Sequence, residues 1–356
     1  MMMDFDFRLL GELPQYTSLS LKRSYWEAGS FQLTLKRGAP GWDNLERERL
    51  LFFPDRPEVM LLIEKVTFSE EKAVANGTPL KGLCKRRICV PPSVAAADDQ
   101  YLAFGWDRFT GDGESAYLHY AANNLTGPED DKRKLPGLRL GDNRHRGLTL
   151  PWQARFDKLH ELFEEIGEAT GLGWDIRPDF ENREFVFSAW EGRDLTQGTR
   201  RAALSREMGN LDGATVTEDS SGEIGTVYAG GSGEDENRLI LSVGNEKTGY
   251  ARREGWTDVS GVEDADMLRL GAERKLAEPK LTLTVTLRDS GLSRYGRDYD
   301  VGDVLSVISD RGRMAARLIT MEEIRENGAL KLKATFGDAP LTLTRLMQSN
   351  GKGTVR

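Results

Sequence analysis

Histidine and cysteine are nearly missing from this 356-residue chain: it has three histidines, His119, His145 and His160, and two cysteines, Cys84 and Cys89. Two cysteines build no disulfide framework, and their spacing matches no known metal motif. A zinc site needs three or four converging ligands, and the histidines are scattered. His119 and His160 each stand alone on a predicted helix, and His145 lies in the charged loop Asp142–Gly147. All three read as structural or solvated side chains. Long apolar runs are missing too. The longest, Val59–Ile63, falls far short of the roughly 20 residues that cross a bilayer. The opening stretch places Asp4 and Asp6 where a secretory signal needs a basic start and an unbroken apolar core. The expectation is a chain made in a reducing cytosol, with no membrane span. Basic charge is also in deficit: 49 Lys and Arg against 57 Asp and Glu leave a net charge of -8. Such a chain as a whole lacks the footprint for gripping nucleic acid. Neither a Gly-x-Ser-x-Gly elbow nor a His-Glu-x-x-His helix occurs.

What the chain does have is glycine and alternation. Its 38 glycines, added to a hydrophobic fraction of 38%, bring the apolar share to about the 45–50% of globular proteins. At this length two to four structural units are expected. Leu281, Leu283, Val285 and Leu287 alternate without error with Thr282, Thr284 and Thr286, the period of a half-buried strand. Val304–Ile308, Ala315–Met321 and Leu330–Phe336 follow suit, joined by glycine-bearing turns at Gly291, Gly296, Gly302, Gly312 and Gly328. At the other end Phe5, Phe7 and Leu9, then Phe31, Leu33 and Leu35, alternate in the same way. Glu58–Phe68 is apolar on both faces and reads as a central strand.

Between these ends lie helices. Gly113–Leu125 puts Tyr117, Leu118, Ala121 and Leu125 on one face. Trp152–Thr170 carries the stripe Phe156, Leu159, Leu162, Phe163 and Ile166 opposite a glutamate face. A hairpin follows, Trp174–Arg177 with Arg183–Trp190. Glu263–Leu276 is a further helix, with Met267, Leu270 and Leu276 as its apolar positions. The fold class is therefore α+β and β-rich: two small antiparallel β-barrel-like units flanking an α/β middle. The expected boundaries are 1–95 for the first β unit, 96–150 for a linker, helix and loop insertion, 151–276 for the middle, 277–340 for the second β unit and 341–356 for a tail.

Candidate chemistry is thin. Asp298, Asp300 and Asp303 lack the frame of a calcium loop and read as turn formers. Tyr228–Glu234 is glycine-rich but has no Lys-Ser/Thr and no helix after it, so it reads as a hairpin turn. The glutamates of the long helix form an exposed stripe, without the burial that separates the pKa values of catalytic carboxylates. Basic residues cluster at Lys85–Arg87, Lys132–Lys134 and Arg144–Arg146, and read as solvated loops or subunit contacts. Trp42, Trp106 and Trp256 are the tryptophans an adhesin would expose. Catalytic, cofactor-binding and metal-binding residues are all expected to be none, with no cofactor.

Several stretches carry a family resemblance. They include Arg23-Ser-Tyr-Trp-Glu-Ala-Gly-Ser-Phe-Gln-Leu33, Leu80–Ile88, His119–Leu125, Asp131–Leu138, Trp152–Leu159, Ile166–Trp174, Glu191–Thr196, Tyr228–Glu234 and Asp298-Tyr-Asp-Val-Gly-Asp303. In this order they resemble the siphovirus ReqiPepy6-type tail protein family, over about Phe5 to Pro340. The resemblance implies a structural tail-tip or baseplate hub protein in the virion. It also implies a homotrimer whose two barrel-like units per chain continue the six-fold tail tube around a central channel. Its expected partners are the distal tail protein or tail tube, the tape measure protein and a spike or receptor-binding protein, with DNA passing without specific binding. The competing readings are a hub-associated cell-wall hydrolase and a carbohydrate-binding adhesin.

Overall fold

A computed structural model describes residues 1–92, 105–259, 262–288, 293–310, 312–326 and 328–337, with only the backbone described at Lys280 and Leu281. Residues 93–104, which span the expected boundary at 95, lie outside these residues, as do the turn at Gly291 and the tail 341–356.

The fold is β-rich, and one 13-stranded sheet runs through both ends of the chain. Its path is Leu211–Asp219, Lys280–Leu287, Ala329–Gly337, Gly312–Glu326, Tyr16–Ser24, Ser30–Lys36, Lys72–Pro79, Arg56–Phe68, Leu50–Phe53, Met2–Met3 and Leu9–Gly11. Val304–Ser309 joins beside Gly312–Glu326, and Ala203–Leu204 pairs with it in parallel. The sheet does not close into a barrel; the described strands leave its path open at both ends, with the branch through Val304–Ser309 ending at Ala203–Leu204. Each end nevertheless folds over on itself. Leu19 and Leu21 share one apolar cluster with Met2 and Leu51 from strands far along the path. At the other end Leu211 clusters with Leu305 and Val307 in the same manner. A sheet with one apolar face and no covering layer can bury that face only by curling or packing on another sheet.

Alternation decides most of these strands. Leu283, Val285 and Leu287 are buried, whereas Thr282 and Thr284 are half-exposed and Thr286 is exposed. Val59 through Ile63 are buried without a break. Val59, Leu61 and Ile63 face the N-terminal cluster, while Met60 and Leu62 join the central core. Leu211–Asp219 precedes the expected start of the second β unit but pairs with Lys280–Leu287.

The middle contains the helix Leu159–Thr170 against Gly113–Ala121 and the hairpin Gly173–Asp179 with Glu184–Trp190. The long helix begins seven residues later than Trp152. Leu150–Ala154 is instead a strand paired with Asp107–Gly111, which draws Trp152 into the sheet opposite Phe109. Phe156 then has φ +60° and is exposed, outside the helical stripe. Phe5 and Phe7 are likewise not in a strand: Phe7 has φ +61°, and Asp4 caps a turn by accepting the Asp6 and Arg8 N–H groups. Leu80–Arg86 is a 3₁₀ turn. The last helix, Ala265–Glu273, buries Leu268, Gly271 and Ala272 and leaves Leu270 exposed, a face offset from the one its pattern predicts. It covers one side of a three-stranded sheet, Ile240–Gly244, Thr226–Gly230 and Glu254–Asp258.

Candidate functional site

The most elaborate polar constellation lies where the two ends of the chain meet. Tyr16–Ser24 pairs antiparallel with Gly312–Glu326, from Ser24 opposite Thr320 to Ser18 opposite Glu326. A register shift between Leu318 and Thr320 frees the Ile319 carbonyl to accept the Tyr25 N–H at 2.8 Å. Against this joint Arg23, 7% exposed, places Nη1 2.7 Å from Asp300 Oδ1 and Nη2 3.2 Å from Oδ2, and donates to the Tyr295 hydroxyl at 2.8 Å. Arg56 grips Glu323 with two bonds of 3.0 and 2.8 Å, and Glu323 is 3% exposed. Charges taken out of water need partners of this kind, since an unpaired one costs several kcal/mol. Burial disfavours the charge on Asp300, but the Arg23 guanidinium outweighs it and holds the carboxyl below its ordinary value. Burial pushes the Tyr295 phenol well up, so it stays protonated.

Asp298–Asp303 completes the joint. Asp303 accepts from the Arg193 N–H at 2.9 Å, from Arg193 Nη2 at 2.5 Å and from the Asp300 N–H at 2.9 Å. Asp298 accepts the Arg294 N–H and pairs with Arg297. These aspartates are thus engaged by arginines and backbone donors, and the segment forms the expected turn. Gly302 has φ +94°, and a Cβ there would stand 2.4 Å from the Tyr25 ring. The Tyr25 hydroxyl accepts the Gly192 N–H at 3.0 Å and lies 3.1 and 3.0 Å from the carbonyls of Gly171 and Trp190. Arg317 covers the ring at 5.4 Å and donates to the Gly302 carbonyl. Arg23-Ser-Tyr-Trp, Gly171, Glu191-Gly-Arg193 and Asp298–Asp303, distant motifs in the sequence, therefore converge on one tyrosine. The sequence reading did not find this joint. Its only local sign was an apolar strand interrupted by arginine, as at Arg23, and by glutamate, as at Glu323.

The histidines are placed apart. His119 Nε2 lies 2.6 Å from Asp107, whose carboxylate also accepts from Asn123, and its ring stacks on Phe109. His145 gathers Ser115 and Asp112, which resembles a nucleophilic triad in composition only. Ser115 Oγ and Asp112 both approach Nδ1, at 3.3 and 3.2 Å, and Ser115 also donates to Asp112. A triad requires the serine and the carboxylate on opposite ring nitrogens. His160 sits on the helix with its pKa lowered, chiefly by burial. Cys84 and Cys89 are both buried and free; burial pushes the Cys89 thiol up to about 12 and that of Cys84 higher still. Among the described residues no group of three or more His, Cys, Asp or Glu is placed to hold a metal.

Two of the basic clusters come together, since Arg87 Nε donates to the Arg133 carbonyl at 2.8 Å. In the third, Arg146 pairs with the buried Glu114 at 2.7 Å, while Arg144 is exposed and, among the described residues, donates only its backbone N–H to the same carboxylate. Trp42 packs on Phe68, Trp106 borders a cleft of about 440 Å³, and Trp256 is 53% exposed beneath Arg238. Tyr228–Gly230 is a strand end, and the residues after it turn back into Ile240–Gly244. Among the described residues no helix is long and apolar enough to cross a membrane.

The sequence matches the family described as Siphovirus ReqiPepy6 Gp37-like protein over residues 1–338. The chain belongs to this family. No curated protein matches it. In fold it is similar to a prophage tail protein, gp18, from Listeria monocytogenes EGD-e, with 12% identity, TM-score 0.50 and 99% of this chain covering 98% of that one. It is similar also to a tail protein from Neisseria meningitidis MC58, with 14% identity, TM-score 0.56 and coverage of 91% and 92%. The 43 kDa tail protein of prophage MuSo2 from Shewanella oneidensis is a third, at 9% identity, TM-score 0.55 and coverage of 90% and 94%. This member of a siphovirus family thus has the fold of prophage tail proteins.

Proposed function

We propose that the chain is a structural hub at the distal end of a phage tail, three copies forming a ring around a channel for tape measure protein and DNA. The observation that carries this reading is the joint. It holds the two curled ends of the chain side by side in one sheet, whose described outer strands include Leu9–Gly11 at one end and, at the other, Leu211–Asp219 from before the expected 277–340 unit. Three chains supply six such units, the number needed to continue a six-fold tube, and a free edge is a ready surface for a neighbour. The net charge of -8 suits a conduit that must release DNA. The hub would meet the tail tube above and a spike or receptor-binding protein below, and its place is in the virion.

The role requires no catalytic step. His119 and His145 are engaged with Asp107 and Asp112 in the manner of structural pairs. A tail reconstruction with three copies at the tip is the expected result; one or six copies would sink the proposal. Replacing the three histidines together by Gln should leave infectivity largely intact, provided the variant folds. Clearing of cell-wall substrate by purified protein, lost on changing one of these histidines or a carboxylate, would overturn the non-enzymatic reading.

A further inference from the structure

Two charged surfaces of opposite sign make no ion pair among the described residues. The positive one is made by Arg87 and Arg133, which the fold brings together from distant segments. Arg133 Nη2 donates to the Ile88 carbonyl at 2.6 Å and to Asn124 Oδ1 at 3.1 Å, while Arg87 donates to the carbonyls of Arg133 and Arg86. Among the described residues neither guanidinium pairs with a carboxylate. Arg86, next along the chain, is taken up by Glu48 at 2.7 Å, and the nearby Asp130 caps the Lys132 N–H at 3.0 Å. Burial, then the like charge of Arg86 for Arg87 and of Arg87 for Arg133, lowers both pKa values. Both arginines nevertheless remain charged at neutral pH. Two fixed, half-buried cations that bond to no carboxylate among the described residues, with Asp130 only partly offsetting the charge of Arg133, favour an incoming carboxylate, which arginine binds through paired hydrogen bonds. Ile88 and Phe156, 43% and 42% exposed, stand beside them; the Phe156 N–H donates to the Cys89 carbonyl.

The negative surface is the turn Glu234, Asp235 and Glu236, all exposed, between Thr226–Gly230 and Ile240–Gly244. Among the described residues none of these carboxylates pairs with a cation, and Arg238 beyond them is held by Asp258 at 2.7 Å. Ile240, 54% exposed, and Trp256, 53% exposed, flank the turn. A chain of net charge -8 repels its own copies overall, so attraction between copies must be local. Nucleic acid is the weaker occupant for the positive surface, because a single-strand site interleaves its cations with several stacking aromatics.

We propose that these surfaces meet between copies: Arg87 and Arg133 of one chain receive the Glu234–Glu236 turn of the next, with Ile88 against Ile240. The proposal rests on the trimer reading above. Two different patches in contact make a heterologous interface, the kind that closes into a ring.

Disulfide trapping tests the contact. Arg133→Cys and Asp235→Cys in one chain, oxidised mildly in assembled tails, should give linked dimers and trimers on a non-reducing gel, with neither single variant doing so. The native thiols are buried and leave little background. Arg87→Glu with Arg133→Glu should cut tail assembly at least tenfold while circular dichroism shows the purified chain still folded. Adding Glu234→Lys, Asp235→Lys and Glu236→Lys should restore assembly. Three copies per tail by mass, with no linkage and no response to charge reversal, would overturn this contact alone. A copy number of one would overturn the trimer reading with it. Loss of DNA retention with intact, unlinked trimers would assign the cations to nucleic acid and end the proposal.

Discussion

The N-terminal and C-terminal ends of the great sheet are built by the same alternation but buried differently. In Arg56–Phe68 five consecutive residues are buried, because the curled sheet fills its concave side and the middle of the chain packs on its convex side. In Lys280–Leu287 only one set of side chains is buried, and the threonines between them remain half-exposed or exposed. The openings between first and last strands differ as well. The N-terminal one, about 150 Å³, is lined largely by apolar side chains such as Leu19, Leu33, Leu51 and Phe52. The C-terminal one, about 240 Å³, mixes Leu211 and Val216 with Arg206, Glu207 and Asp310. Thus the first unit serves as a platform for the middle of the chain, while the second keeps a polar outer face. A period of two reveals a half-buried strand; an unbroken apolar run reveals a strand with neighbours on both sides.

The sharpest test of this contrast is a charge placed on adjacent residues. Leu61→Asp and Leu62→Asp should both abolish folding or cost several kcal/mol, on the order of an unpaired buried charge. In the C-terminal unit Leu283→Asp should be equally severe, whereas Thr284→Asp should stay within about 1 kcal/mol. Denaturant midpoints of the four variants decide the matter. Equal damage at Leu283 and Thr284 would mean that the outer face of the second unit is also covered.

The next largest effect lies where the two units join. Glu323→Ala leaves Arg56 beside the apolar joint without its carboxylate and should cost about 3–5 kcal/mol, while the paired change Arg56→Met with Glu323→Leu should recover most of that loss. If the single and the double changes are equally damaging in thermal melts, side-chain packing rather than charge pairing holds the ends together.

Smaller effects should appear with pH, one on each side of neutrality. Burial lowers Lys81 from 10.5 to about 8, with Nζ 2.8 Å from the Ser24 carbonyl and 4.7 Å from the Trp174 ring centre. Between about pH 8 and 10.5 the unfolded chain holds this proton and the folded chain does not, so stability should rise with pH across that window. Lys81→Met should remove the rise. Asp300 has the opposite dependence. Its folded pKa is depressed below 3.8, so its contribution is full above that value and is lost as pH falls through the folded one. Asp300→Asn should flatten that acid limb in urea titrations at pH 2–5; an unchanged limb would mean that other carboxylates dominate it.

Much of the strand content was legible because burial on a pleated surface imposes a short local period. Phe31, Leu33 and Leu35, and Leu283, Val285 and Leu287, show it plainly. Alternation misleads where a turn intervenes: Phe5 and Phe7 alternate, yet Asp4 captures nearby N–H groups and bends the chain. The helix stripe Leu159, Leu162, Phe163 and Ile166 was legible, but its start was not, because pairing with Phe109 held Trp152 in a strand. The aspartates of Asp298–Asp303 read correctly as turn formers. Their second role, as anchors for Arg23 and Arg193, depends on residues far away in sequence.

The sequence by itself determined the β-rich class, the individual strands of period two, and membership of the family over residues 1–338. Only the tertiary structure decided that the two ends share one open sheet and that Tyr25 is the meeting point of four distant motifs. It alone brought Arg87 beside Arg133. Alternation records which side of a strand is dry, because that is a property of successive side chains. Strand partners and ion pairs are chosen by loop closure and packing over hundreds of residues, and no local pattern records those choices.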